Sequence, residues 1–346
     1  MAIPFLVGLV GAAAAGVIGA GGHLCAKDTN EDAQRIIDKS EEKYKKAQKE
    51  LESAKELCMS NLEELGMSKK RILDTSVTDF LEVYEKLKNV NIQESVGLNE
   101  IQNYDIKQED VVQLKQLGDI YADSISSGVK GVATGALISL AASGALPLMA
   151  SDLALAGSCV AAGQFSLAAG VLGESLAFGA AITPLAAVAA PLVLFTGVSA
   201  SLKADENLEK ARQNEEEVNQ AVEKMKVSQS LCVALGRRAK IFNILINELD
   251  KIFAENVVQL KSRIKDIEKG KKKLCISDLT QKDIEKIAMT RSLAGAIKTI
   301  IDTPIISDKG DMTDDSEALI KNLIDYAKNN GMTNVAFMVE NECGEV

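Results

Sequence analysis

The chain has 346 residues, enough for one elongated or two compact domains, and its formal net charge is −10. This negative net charge excludes an overall electrostatic attraction to nucleic acid. The chain has no Trp and only 4 % aromatic residues, so few side chains can stack on nucleic-acid bases. The single histidine, His23, excludes His-based zinc clusters and Ser-His-Asp triads, and no GxxxxGK[ST] or GxGxxG motif occurs. We therefore expect no enzyme, cofactor, metal, nucleic-acid partner or small-molecule substrate.

The N-terminal segment, residues 1–26, is predicted to be an apolar, glycine-rich helix. Residues 3–22 carry no charge, and four glycines allow close contact with another helix: Gly8, Gly11, Gly16 and Gly19. Three interpretations stay open, namely a buried helix of a bundle, a membrane-embedded helix and a cleaved signal. No Lys or Arg precedes the apolar run, so the signal is unconvincing, and a bacterial cytoplasmic or membrane-associated location is expected.

Residues 27–127 are predicted to form a helical coiled-coil segment. A cap-like cluster at residues 28–31 is expected to begin its first helix. Positions with alternating spacings of four and three then predict a buried stripe, which we call the seam: Ala33, Ile37, Ser40, Tyr44, Ala47, Leu51, Ala54, Cys58, Asn61 and Leu65. Gly66 is interpreted as the stop of this helix and Ser68 as the next N-cap. Residues 90–107 predict a loop or a small hairpin, after which helix resumes near Gln108.

The apolar block, residues 128–202, is the most distinctive part of the chain. From residue 129 to 202 its only charged residues are Lys130, Asp152 and Glu174. About 20 apolar residues span a bilayer, so this block predicts a membrane-interacting helical hairpin or three-helix unit. Small residues recur at intervals of four, a pattern suited to close helix contact and oligomerisation: Gly131, Gly135, Ser139 and Ser143.

The two acidic residues within the apolar block have two interpretations. Charges in membrane-length apolar sequence are costly unless they lie at a turn, face a lumen or find a partner. Asp152 and Glu174 therefore either face a pore lumen or bilayer surface, or lie in exposed loops of a helical bundle.

Residues 203–274 predict one long helix that pairs with the segment 27–127. Its heptad pattern runs from Leu208 to Ile267 and ends at the basic run that begins with Lys269. Residues 275–346 predict a small helical segment. Thr280 and Asp283 form a variant capping box for a helix that Pro304 ends, a last helix is closed by Gly331, and residues 335–339 are a strand or a tail.

The order of charged coiled coil, apolar Gly/Ala-rich hairpin and charged coiled coil resembles the α-helical pore-forming toxins of bacteria. The resemblance is architectural and covers roughly residues 30–268. It implies an all-α, elongated helical bundle with a membrane-inserting hairpin, a lipid bilayer as partner and assembly into homo-oligomers. The alternative is a self-assembling coiled-coil scaffold that buries the apolar block in protein contacts, because Ala and Gly pack well between helices but bind lipid weakly.

Overall fold

The computed structural model of the chain describes residues 20–87, 106–126, 137, 140–142, 204–269, 278–307, 312–329 and 331–343. Within these residues the protein is all-α, as predicted, with no strand. Its elements are α1 (Ala20–Ile72), a π-helical turn (Leu73–Val77), α2 (Thr78–Leu87), α3 (Gln108–Ser126), α4 (Ala204–Glu268), α5 (Gln281–Asp302), α6 (Asp314–Asn329) and α7 (Thr333–Cys343). The chain divides into two compact units, and both α1 and α4 contribute to each.

Unit 1 contains the chain up to Lys55 and the part of α4 that ends at Cys232. Five predicted seam positions of α1 are buried here, namely Ala33, Ser40, Ala47, Leu51 and Ala54, whereas Ile37 and Tyr44 are half-buried. Helix α4 contributes Ala211, Val218, Ala221 and Met225. The Lys43 ammonium bridges the two helices, because its Nζ lies 3.8 Å from Glu215 and 3.4 Å from the side-chain oxygen of Asn219. Helices α1 and α4 therefore contact each other in this unit.

Unit 2 contains residues 56–180 and 233–346. Here α1 and α2 run parallel to α4, since their cross-helix partners advance together along both: Asn61 with Gly236, Ser68 with Asn247, Arg71 with Asp250, Lys261 with Asp79, and Lys86 with Glu268. Helix α5 runs antiparallel to α4, because Lys286 bonds Gln259 while Arg263 bonds Asp283. This arrangement is compatible with the predicted helical bundle.

The core of unit 2 is made of large side chains. Phe80 of α2 contacts Tyr84 and Phe253, with ring centroids 5.7 and 5.4 Å apart. The Arg291 guanidinium of α5 lies over the Tyr84 ring, 5.9 Å from its centroid. These contacts join α2, α4 and α5 into one apolar interior.

Two predicted boundaries at the start of the chain are wrong. Helix is already formed at Ala20, so the cluster at residues 28–31 does not begin it. Gly66 does not end a helix, because α1 continues through it to Ile72, and it does not have the positive φ that a glycine stop adopts. Ser68 is accordingly not an N-cap, and its hydroxyl accepts a hydrogen bond from Asn247.

Most predictions for the C-terminal half are confirmed. Helix α4 ends at Glu268, before the basic run. Thr280 caps α5 through a capping box with Asp283, and α5 ends two residues before Pro304. Gly331, at φ 74°, follows α6. The strand or tail predicted at 335–339 is wrong, because these residues lie in α7, where Val335, Ala336 and Val339 are buried at helical spacing.

Candidate functional site

Part of the apolar block lies within unit 2, where it packs on the other helices of that unit. Its described residues are Leu137 and residues 140–142, all helical and all buried; we call them the docked segment. The carbonyl oxygen of Ala142 accepts hydrogen bonds from the backbone N–H groups of Ile305 (2.8 Å) and Ile306 (3.1 Å). The loop that follows α5 therefore fixes one end of the docked segment through main-chain bonds.

At its other end, Leu137, the docked segment packs closely on Gly66 of α1. A Cβ atom at Gly66 would lie 2.1 Å from the carbonyl oxygen of Leu137, well inside the closest approach of two such atoms. Only a residue without a side chain lets the backbones of α1 and the docked segment come this close. The glycine that reads as a helix stop is thus explained by a close helix contact.

Lys69, one turn after Gly66, connects three elements. Its side chain is fully buried, and its Nζ donates hydrogen bonds to the carbonyl oxygens of Leu140 (3.1 Å) and Ile301 (3.2 Å). Ile301 O is among the last four carbonyls of α5, which have no partner within their own helix, and this end of a helix favours a cationic or donor group. Lys69 therefore caps α5 and anchors the docked segment with the same amine.

An acidic and a basic residue of α5 complete the site. The Lys298 ammonium bonds the Asp302 carboxylate and lies 3.4 Å from Asp110 of α3. Asp302 Oδ1 is buried and has no hydrogen-bond partner within the described part of the chain. Around Lys69 the site thus contains one further cation and two carboxylates, all close to the end of α5.

The ionisation of this cluster is set by burial. Burial lowers the pKa of Lys69 to about 7, although the nearby Asp302 carboxylate acts in the opposite direction. Burial also raises the pKa of Asp302, against the hydrogen bond and charge of Lys298 and the charge of Lys69. A neutral Lys69 amine has two N–H groups, and two carbonyl acceptors face it, so the geometry suits the neutral form.

The contact residues predicted from the sequence lie outside the described residues. This holds for the N-terminal glycines Gly8, Gly11, Gly16 and Gly19, and for the apolar block's Gly131, Gly135, Ser139, Ser143, Asp152 and Glu174. The predictions for them are therefore neither supported nor contradicted, and the site described above is formed by other residues.

Sequence reasoning missed Lys69, although the signal was present. Buried positions of α1 continue past Leu65 at Lys69 and Ile72, with spacings of four and three. A lysine that occupies a seam position is buried only where partners compensate for the lost hydration. Its partners lie 71 and 232 residues further along the chain, so the heptad pattern gives no indication of them.

No protein-family model matches this sequence, and no curated protein or solved structure is significantly similar to it. Among the helices that the structure describes, none is long and apolar enough to cross a membrane. Within the same residues, no group of three His, Cys, Asp or Glu side chains is placed to hold a metal ion.

Proposed function

We propose that this protein is a membrane-inserting helical protein of the pore-forming type, in which the apolar block enters the bilayer and assembles with other copies. The observation that carries the proposal is the burial of the docked segment. Leu140, Ala141 and Ala142 have no exposed surface. They lie in a stretch, residues 131–202, that contains only two charged residues. Because the described contacts that hold the docked segment are hydrogen bonds and apolar packing, the segment can leave this site for another apolar environment.

The chemistry of the contact supports this proposal. The described residues of the docked segment are Leu and Ala, whose side chains have no hydrogen-bonding atom, so its polar contacts use the backbone carbonyls of Leu140 and Ala142. Each bond can be exchanged for one to water or to another helix, at a net cost of about 1 kcal/mol. The resemblance to α-helical pore-forming toxins supports the same function from the order of segments.

Liposome flotation tests the membrane function. Deleting residues 128–202 and joining the flanking segments should give a protein that no longer floats with liposomes, whereas the full chain should float. Flotation of the deletion variant to the same extent as the full chain would exclude the apolar block as the membrane-binding element.

Pore formation has its own test, because it requires a polar path. Dye release from liposomes, measured over a range of pH and lipid charge, should reveal permeabilisation by the full chain. Rings of carboxylates favour cations, so Asp152→Leu combined with Glu174→Leu should change the ion selectivity or conductance of the pore. Dye release by the double variant with unchanged ion selectivity and conductance would show that these two residues do not line the pore.

Oligomerisation through small residues is tested at Gly131 and Gly135. Replacing both by Leu should block close helix contact while making the block more apolar. Cross-linked oligomers should then decrease without a loss of liposome binding. An unchanged yield of oligomers would exclude this stripe as the interface.

A self-assembling scaffold is the second candidate function, and the small side chains of the seam favour it. Ala33, Ala47 and Ala54 are small residues buried within a single copy, and the Gly/Ala-rich block would allow close helix contact between copies in the same way. This function predicts ordered particles or filaments by electron microscopy. It also predicts no dye release under any condition, and that combination would replace the pore proposal.

A further inference from the structure

We propose that Lys69 is a proton-linked latch for the apolar block: the buried amine holds the docked segment on unit 2, and uptake of a proton by this amine weakens the docking. The proposal rests on the proposed function, for which it supplies the regulation. It concerns the equilibrium between a docked state, in which Leu140 O and Ile301 O both accept bonds from Lys69, and a released state, in which the amine is hydrated.

The geometry places Lys69 where a change of charge acts on docking. Its side chain is completely buried, and two carbonyl oxygens from two different elements are its acceptors. A third N–H, which protonation adds, has no acceptor among the described residues. The Asp302 carboxylate, whose charge acts on Lys69, bonds Lys298 and forms no ion pair with Lys69. A protonated Lys69 is therefore a buried charge without a direct counter-ion, which is strongly unfavourable.

The charged groups on every neighbouring element are few. Helix α5 contributes Asp302 and Lys298, and α3 contributes Asp110. On α4 Asp250 is paired with Arg71 at 3.0 Å. The docked segment itself contains no ionisable residue. Among the charged groups, Asp302 is the one whose charge acts on Lys69.

The direction of the pH effect follows from the two states. The docked amine has a pKa of about 7, and the released amine has the ordinary lysine pKa near 10.5. Docking is thus strongest above the released pKa, weakens as the pH falls from there towards 7, and changes little below 7. Asp302 acts in the opposite sense, because burial raises the pKa of this carboxyl and the docked state gains when Asp302 takes up a proton.

Hydrogen exchange without lipid tests the latch. The protection of the peptide that contains the docked segment is measured between about pH 9 and pH 6 and corrected for the intrinsic exchange rate at each pH. One linked proton changes the docking constant by about tenfold per pH unit, so protection should fall nearly tenfold from about pH 9 to pH 8 and level off below pH 7. Lys69→Met should abolish this dependence, and the matched control Lys70→Met, at a lysine that pairs with Asp74, should keep it. The same pH dependence in Lys69→Met and the wild type would overturn the proposal.

Direct titration keeps the proposal testable if Lys69→Met does not fold. The ε-carbon resonance of Lys69 in the wild-type protein should titrate near pH 7, and a midpoint near pH 10.5 would overturn the latch.

Flotation with phosphatidylcholine liposomes separates this proposal from the membrane function. A Lys69-dependent protection profile without flotation at any pH leaves the latch in place and contradicts the membrane function. Flotation that is equal at all pH values for wild type and Lys69→Met contradicts the latch alone.

Discussion

Unit 1 and unit 2 use the same helix spacing to bury very different side chains. In unit 1 the seam of α1 is mostly small, with Ala33, Ser40, Ala47 and Ala54. In unit 2 the same helix buries Leu62, Leu65 and Ile72, and the interior includes Phe80 and Phe253. Because apolar stabilisation increases with the area removed from water, unit 2 is expected to be the more stable of the two. The heptad pattern shared by the two units thus specifies which face of the helix is buried, but not how much its burial stabilises the unit.

The buried polar groups of the two units differ as well. In unit 1 the hydroxyl of Ser40 and both side-chain polar atoms of Asn214 are buried without a hydrogen-bond partner. In unit 2 the Lys69 amine has two acceptors, and Lys298 bonds Asp302. Unit 2 also has buried polar atoms without a partner, Asp250 Oδ1 and Asp302 Oδ1, so the difference is that a buried polar group of unit 2, Lys69, bonds the docked segment.

The largest expected effect comes from emptying the core of unit 2. Phe253→Ala removes a fully buried ring in contact with Phe80, and we expect it to lower the free energy of unfolding by about 3–5 kcal/mol. The matched change in unit 1, Met225→Ala, should lower it by about 2 kcal/mol, because the small neighbours leave little packing to lose. Urea denaturation measures both changes. An equal or larger loss for Met225→Ala would contradict the difference between the units.

An intermediate loss of stability is expected from a substitution at Gly66, which contacts the docked segment at Leu137. Gly66→Ala forces a Cβ to within 2.1 Å of Leu137 O, so overpacking should cost about 1–3 kcal/mol and reduce hydrogen-exchange protection of the docked segment. Gly118→Ala in α3 is the control. No atom lies within 4 Å of its added Cβ, and Ala has a higher helix propensity than Gly, so stability should rise by about 0.5–1 kcal/mol. A gain in stability from Gly66→Ala would show that the contact with Leu137 does not constrain Gly66.

The smallest effect should be a gain in unit 1. Ser40→Ala and Asn214→Leu each remove a buried polar group that has no partner, and each should stabilise the protein by about 1 kcal/mol. Thermal and urea denaturation both report this change. A loss of stability from either substitution would mean that the removed group is satisfied in solution.

Local signals in the sequence were sufficient to predict most of the helices, but they were insufficient to predict the site around Gly66 and Lys69. The ends of α4, α5 and α6 depend on residues close in sequence, such as the Thr280–Asp283 box and Gly331, and these were predicted. The roles of Gly66 and Lys69 depend on Leu137, Leu140 and Ile301, which are distant in sequence. A glycine at a helix stop and a glycine at a close helix contact look alike locally, so only the fold distinguishes them.

The measurement that tests the central claim most directly is liposome flotation of the Gly66→Ala protein beside its control. If docking on unit 2 restrains the apolar block, Gly66→Ala should float in a larger fraction than the wild type and Gly118→Ala. Combining Gly66→Ala with deletion of residues 128–202 should then abolish flotation. Equal flotation of Gly66→Ala and Gly118→Ala would contradict the claim that the contact of Gly66 with the docked segment restrains membrane binding. Flotation that survives the deletion would contradict the claim that the apolar block binds the membrane.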